Sequence, residues 1–133
     1  MTTVLIFDGY CGFCTRTVGW LRRLDHRNRL AVQPYQADNV LARWELTAQD
    51  CDEAAWAITS DGGRHRGAAA INAALAAALG TRLPLRVYGL PGMRRLQDAV
   101  YVWVSRNRRR FRGVTPWCQA NPQECSWPPT PPA

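Results

Sequence analysis

No lysine occurs among the 133 residues: all seventeen basic side chains are arginine, against ten carboxylates, and the formal net charge is +7. That excess is local. Five arginines (Arg106, Arg108, Arg109, Arg110, Arg112) fall within seven residues, and the remaining twelve nearly balance the ten acids. No nucleic-acid motif accompanies the cluster, so a nucleic-acid partner is not expected. Also missing is an apolar run of bilayer length. The longest weakly polar stretch, Gly67 to Gly80, is mostly alanine and holds Asn72, short of the ~20 apolar residues of a membrane helix. Met1-Thr2-Thr3 leads straight into Val4-Leu5-Ile6-Phe7 with no basic n-region or small-residue cleavage site, which makes a cytoplasmic location the expectation. There are no internal repeats. With 47% apolar and 20% charged residues, composition excludes disorder over most of the length and fits one domain of ordinary size.

What is present reads as alternating strands and helices. Val4 to Phe7 is an apolar run of the kind buried on both faces of a sheet. From Gly12 to about Asp25, Cys14, Val18 and Leu21 fall on one helical face, with Trp20 and Leu24 beside it. Leu30 to Val32 reads as a second strand and Ala37 to Leu46 as a helix carrying Val40, Leu41 and Trp44. Ala54 to Thr59, then Asp61-Gly62-Gly63, then Arg64-His65-Arg66 form a hairpin pattern. Ala68 to Leu79 is a run of helix formers closed by Gly80. An irregular segment with Pro84 and Pro91 precedes a last amphipathic helix marked by Met93, Leu96, Val100 and Trp103. The expected order is βαβαββα plus one C-terminal helix over residues 1–113. From Val114 the tail holds Pro116, Pro122, Pro128, Pro129, Pro131 and Pro132, and reads as an extended segment that Trp117 and Trp127 could anchor. The tryptophans Trp20, Trp44, Trp56 and Trp103 are expected in the core.

The most informative stretch is Asp8-Gly9-Tyr10-Cys11-Gly12-Phe13-Cys14, a Cys-x-x-Cys between a buried strand and a helix. There the first sulfur meets free backbone N–H groups and the positive end of the helix dipole, which favour thiolate. Cys11 is therefore the expected nucleophile, and Cys14, one turn on and facing the core, the thiol that resolves a mixed disulfide. Asp8 could accept the Cys14 proton or instead bond N–H groups of the turn. Its charge opposes the dipole, so the net shift on Cys11 stays open. Tyr10 and Phe13 could rim the dithiol or belong to the core. No bound cofactor is needed for such a pair, and its partner would be a protein or low-molecular-weight thiol or disulfide.

These residues carry a family resemblance. FDGYCGFC resembles the signature of the DCC family, named for D-x-x-C-x-x-C, and Asp61-Gly62 with Gly67-Ala68-Ala69-Ala70 and Tyr101 with Asn107-Arg108 resemble its later motifs. The resemblance implies an α/β, thioredoxin-like fold with a mixed sheet of about four strands. It also implies a thiol-disulfide oxidoreductase activity in which Cys11, Cys14 and Asp8 are the marked residues. One departure from the wider thioredoxin group is that no proline lies between Trp44 and Ala54, where a cis-proline usually faces the dithiol. Asp52 or Glu53 is expected in that space, and a carboxylate there would disfavour thiolate.

Other readings compete. Cys11, Cys14, Cys118 and Cys125 could supply four thiolates to zinc, with His26 or His65 in reserve, but the six-residue gap between Cys118 and Cys125 is unlike the close ligand pairs of zinc sites. Cys118 and Cys125 read instead as spare thiols or a local disulfide, reduced in a reducing cytosol, and Cys51 as a half-buried small residue. A phosphate-transfer aspartate at Asp8 lacks the second carboxylate two residues on, where Tyr10 stands. A cysteine phosphatase loop at Cys11 lacks its arginine, where Thr17 stands. The arginine run could meet an anionic membrane surface or an acidic partner, and reads first as a solvated helix end. A non-catalytic domain that docks through this run, its cysteines structural or zinc-bound, is the alternative to an oxidoreductase.

Overall fold

A computed structural model describes residues 2–125 apart from residues 38 and 112. Trp127 and the last four prolines of the tail lie outside the described residues, as does Arg112. The chain runs through β1 (Thr3–Phe7), α1 (Gly12–Leu24), β2 (Leu30–Pro34), α2 (Val40–Trp44), α3 (Ala48–Glu53), β3 (Trp56–Thr59), β4 (Arg64–Arg66), α4 (Ala68–Leu79), α5 (Leu83–Tyr88), α6 (Met93–Arg106) and α7 (Trp117–Ala120), with 3-10 turns at Arg108–Arg110 and Pro122–Glu124. The four strands make one mixed sheet in the order β2-β1-β3-β4. β1 pairs in parallel with β2, while β3 runs antiparallel to both β1 and β4. This α/β architecture is compatible with the thioredoxin-like fold.

β1 is central, and its alternation serves two cores. Leu5 and Phe7 point to one face, where Val18, Leu21, Ala57 and the alanines of α4 meet them. Ile6 points to the other, among Tyr35, Val40, Leu46, Cys51 and Ile58. Burying each of these large side chains contributes about 1.5–3 kcal/mol. Six alanines of α4 are buried, and their small size lets that helix lie close against β1, β3 and α1. Gly80 closes α4 in the left-handed region at φ 72°, its N–H bonded to the carbonyls of Ala76 and Ala77. The turn from α1 into β2 is held by Asp25, whose carboxylate oxygens accept from the N–H groups of Arg29 and Leu30.

The structure departs from the sequence reading in five places. α3 was not expected: its sequence AQDCDE offers the core only Cys51 and, partly buried, Ala48, so apolar periodicity is silent. Its signal was the capping box, in which Thr47 Oγ1 accepts from Asp50 N and the Asp50 carboxylate accepts from Thr47 N. α5 falls in the segment read as irregular because Pro84 suggested a break, yet proline in a first helical turn loses no hydrogen bond. The helix read over Ala37 to Leu46 is confined to α2. Trp20 and Trp103 are exposed rather than core residues, Trp20 lying beneath the Arg16 guanidinium. Residues 114–125 do not extend away: the anchor expected at Trp117 is present, packed edge-on against Phe7 with ring centroids 5.6 Å apart, but the segment is also tied down at Cys118, which is buried and joined to Cys125.

Candidate active site

The end of β1 sets the site. Because β1 and β2 are parallel with Phe7 opposite Pro34, the residues just past each strand are neighbours. Gln36, fully buried, therefore sits beside Asp8 and Gly9. Its Oε1 accepts from Gly9 N at 2.9 Å, and its Nε2 donates to Asp8 Oδ1 at 2.9 Å. Asp8 Oδ1 also accepts from Tyr10 N at 3.0 Å, and Cys11 N donates to the Asp8 carbonyl. Of the two parts considered for Asp8, these contacts display the second, a carboxylate that bonds the N–H groups of its own turn.

Cys11 is the N-cap of α1, with extended backbone at φ −96°, and its Sγ accepts from Cys14 N at 3.2 Å. Its pKa falls from 9.0 to about 6. The main cause is the Cys14 thiol donating to the Cys11 sulfur; burial opposes it, while the Cys14 amide and Arg108 add to it and Asp8 subtracts. The same hydrogen bond holds the Cys14 proton in place, and with burial it pushes the Cys14 pKa upward. The pair is thus split into one thiolate and one thiol. The question left open by the opposition of helix end and carboxylate is decided by the partner sulfur, which neither of those considerations includes.

Arg108, like Gln36, is a residue that sequence reasoning missed. One of five similar arginines, it was read with the rest as a solvated helix end, and only its place in the Asn107-Arg108 motif distinguished it. In the structure its side chain is 19% exposed. Nη2 lies 3.5 Å from Asp8 Oδ2 and 3.4 Å from Asp52 Oδ1, and Nη1 lies 3.8 Å from Cys14 Sγ. The carboxylate expected near the dithiol is thus Asp52, and its charge is met by Arg108. Glu53 turns away to Arg66. Replacing Arg108 with Gln removes the cation, so the Cys11 titration should move upward from about 6. Iodoacetamide labelling followed by mass across pH 4 to 9 reads it directly, and an unmoved midpoint would show that Arg108 does not act on the thiolate.

The loop where the wider group carries its cis-proline is Ala54-Ala55. Ala55 N donates to Tyr101 Oη at 2.9 Å, and the Ala55 carbonyl accepts from Gly67 N at 2.9 Å. Both backbone groups that could pair with a partner strand at Ala55 are thereby occupied. Phe13 packs against Phe111 with ring centroids 5.2 Å apart, and Phe111 in turn meets Trp103 edge-on. These rings form an apolar rim on one side of the dithiol.

The segment following Phe111 crosses the dithiol turn as a strap. Val114 N donates to the Gly12 carbonyl, Trp117 N to Thr15 Oγ1 and Cys118 N to the Gly9 carbonyl. Gly9, Gly12 and Gly113 permit this approach. A Cβ on Gly9 would lie 2.4 Å from Cys118 Sγ. Cys118 and Cys125 form the local disulfide rather than the reduced thiols expected in a reducing cytosol, and this takes two sulfurs out of the four-thiolate zinc set considered above. Among the described residues no group of three or more His, Cys, Asp or Glu side chains comes together to hold a metal. Cys51 is buried in the second core, where burial pushes its thiol up to about 12. Among the described residues no helix is long and apolar enough to cross a membrane.

No curated protein and no solved structure matches the chain. The family model of DCC1-like thiol-disulfide oxidoreductases matches residues 5–114, a span that opens in β1, contains the dithiol turn and Arg108, and closes on the strap. The D-x-x-C-x-x-C resemblance and this match agree: the chain belongs to the DCC1-like thiol-disulfide oxidoreductase family.

Proposed function

We propose that this protein exchanges a dithiol for a disulfide with a protein or low-molecular-weight partner in the cytoplasm. Cys11 attacks, Cys14 resolves, and the sulfur pair itself carries the two electrons without a bound cofactor. The observation that carries this reading is the placing of Cys11 at the N-cap of α1, its Sγ accepting from Cys14 N at 3.2 Å with Arg108 beside the pair, so that the first thiol is lowered to about 6 and the second is raised by its neighbour and by burial. The Cys11 thiolate bonds to one sulfur of the partner disulfide and expels the other as thiolate. Cys14 then attacks the Cys11 sulfur, and the partner's remaining sulfur departs, taking up the proton that Cys14 gives up. One disulfide has been reduced to two thiols and one dithiol oxidised.

Arg108 assists the second step, its guanidinium meeting the charge that builds on Cys14. Asp8 acts through Arg108 and through the turn it braces.

The test is a titration of the purified protein in glutathione buffers of graded redox poise, with the oxidation state of Cys11 and Cys14 followed by mass and zinc assayed on the same sample. Reversible interconversion of dithiol and disulfide with no bound metal is expected. A pair that stays unreactive, or that holds stoichiometric zinc, would leave the non-catalytic docking domain as the better account.

A further inference from the structure

Between α1, α4 and α6 lies a cavity of about 440 Å³ whose wall includes Cys14. Phe13, Ile71, Leu96, Val100 and Val104 are among its apolar lining residues. α6 covers the cavity without filling it: no residue of α6 is buried, and Leu96 and Val100 are 58% and 52% exposed. The helix therefore presents an apolar face to a space that an apolar group would complete.

The polar groups that reach the wall are largely satisfied by one another. Asn72 Nδ2 donates to Gln97 Oε1 at 2.6 Å and to the Ala68 carbonyl at 2.8 Å. Tyr101 Oη accepts from Ala55 N. Thr17 Oγ1 donates to the Phe13 carbonyl, and Arg108 is matched by Asp8 and Asp52. A carboxylate-rich ligand such as glutathione would have to displace an ion pair to be recognised there, whereas a hydrocarbon side chain displaces only water. Size agrees, since ligand-binding cavities span roughly 300–1,000 Å³.

We propose that this cavity is the specificity pocket of the exchange reaction, receiving a bulky apolar side chain that neighbours the reacting cysteine of a protein or peptide disulfide. The inference rests on the oxidoreductase reading and names its substrate class. With that side chain seated against Phe13 and Val100, the adjacent cysteine sulfur is held beside Cys14 and the Cys11 thiolate that bonds to it.

Two peptides, Ala-Phe-Cys-Ala and Ala-Gly-Cys-Ala, each disulfide-bonded to glutathione, serve as probes. Mixed with pre-reduced protein in single turnover, the substrate disulfide is cleaved as Cys11 and Cys14 become oxidised, so no other reductant enters. The Phe peptide should react at least about tenfold faster, the scale of one apolar group in a pocket. Val100→Gln should bring the ratio of the two rates toward one, and Trp20→Gln, on an exposed face of α1, should leave the ratio as it is. Because the ratio is measured on one preparation, a partly unfolded variant does not distort it. Equal rates for the two peptides in the unaltered protein, with both reduced, would overturn the pocket while leaving the oxidoreductase intact. So would competition by myristate with no peptide preference, which would assign the cavity to a lipid. Failure to reduce either peptide or glutathione disulfide would overturn the oxidoreductase reading and the pocket with it.

Discussion

Cys14→Ser should halt the exchange half-way and accumulate a covalent complex with the partner. The Cys11 thiolate, at about 6, remains largely ionised at neutral pH once formed and still attacks, but a serine hydroxyl cannot expel the bound sulfur. The chief hydrogen bond that lowers Cys11 comes from the Cys14 side chain, and a serine hydroxyl there also donates, while the Cys14 amide and Arg108 are unchanged, so the attacking thiolate is kept. Non-reducing electrophoresis of the variant after exposure to a peptide disulfide should show the adduct, and added dithiothreitol should release it. Cys11→Ser should show the opposite, with thiol reactivity at the site falling by at least about two orders of magnitude, because the low-titrating sulfur is gone and burial still disfavours the Cys14 thiolate. An adduct that forms equally in both variants would refute the division of labour between the two sulfurs.

Reduction also has a pH signature with a definite sign. Cys11 titrates at about 6 when folded and near 9.0 when not. Its contribution to the stability of the reduced protein is therefore fully present above pH 9 and is lost as pH falls through 6. The oxidised protein has no thiolate there and lacks this dependence.

Among the glycine-to-alanine substitutions, Gly113→Ala should be the most damaging. A Cβ at that position would sit 2.4 Å from Gly12 C, 2.6 Å from Phe13 N and 2.9 Å from Gly12 Cα. All three are backbone atoms at the start of α1, and none can rotate aside. Either the strap lifts or the dithiol turn shifts, at a cost of about 2–3 kcal/mol. The midpoint of urea unfolding should fall accordingly. The Cys118–Cys125 disulfide, buried at its Cys118 end, should become quicker to reduce. Gly19→Ala provides the contrast. Nothing lies within 4 Å of a Cβ there, and alanine in a helix interior should stabilise by roughly 0.5–1 kcal/mol. If both substitutions behave alike, the strap does not bear on the redox turn.

The sequence was legible where one local rule sufficed. α4 runs over the residues expected, Ala68 to Leu79, because helix formers and a closing glycine agree, and the β3–β4 hairpin follows from Asp61-Gly62-Gly63. Cys11 and Cys14 were identifiable because the dithiol and the helix it begins are contiguous in the chain. Gln36 and Arg108 were not, because each enters the site through a pairing between distant segments. Gln36 arrives only once β2 lies parallel to β1, and Arg108 only once α6 has crossed back to bring its end over Cys14. Apart from the resemblance of Asn107-Arg108 to a family motif, nothing in the run Asn107 to Arg110 tells which guanidinium turns inward. The strap was legible only at Trp117, expected as an anchor: proline content describes the chain's stiffness, while the close course of the segment over the turn depends on three glycines, two of them more than a hundred residues earlier.

The outer strands of the sheet carry a consequence for how this molecule behaves in crowded solution. β4 is three residues long, two of them exposed arginines, and β2 ends in Pro34, which has no N–H to offer. Charge and brevity on one border, and a missing donor on the other, discourage a neighbouring chain from adding itself as a further strand. A protein whose working surface is an open apolar hollow next to a reactive sulfur thus carries little invitation to polymerise through its sheet.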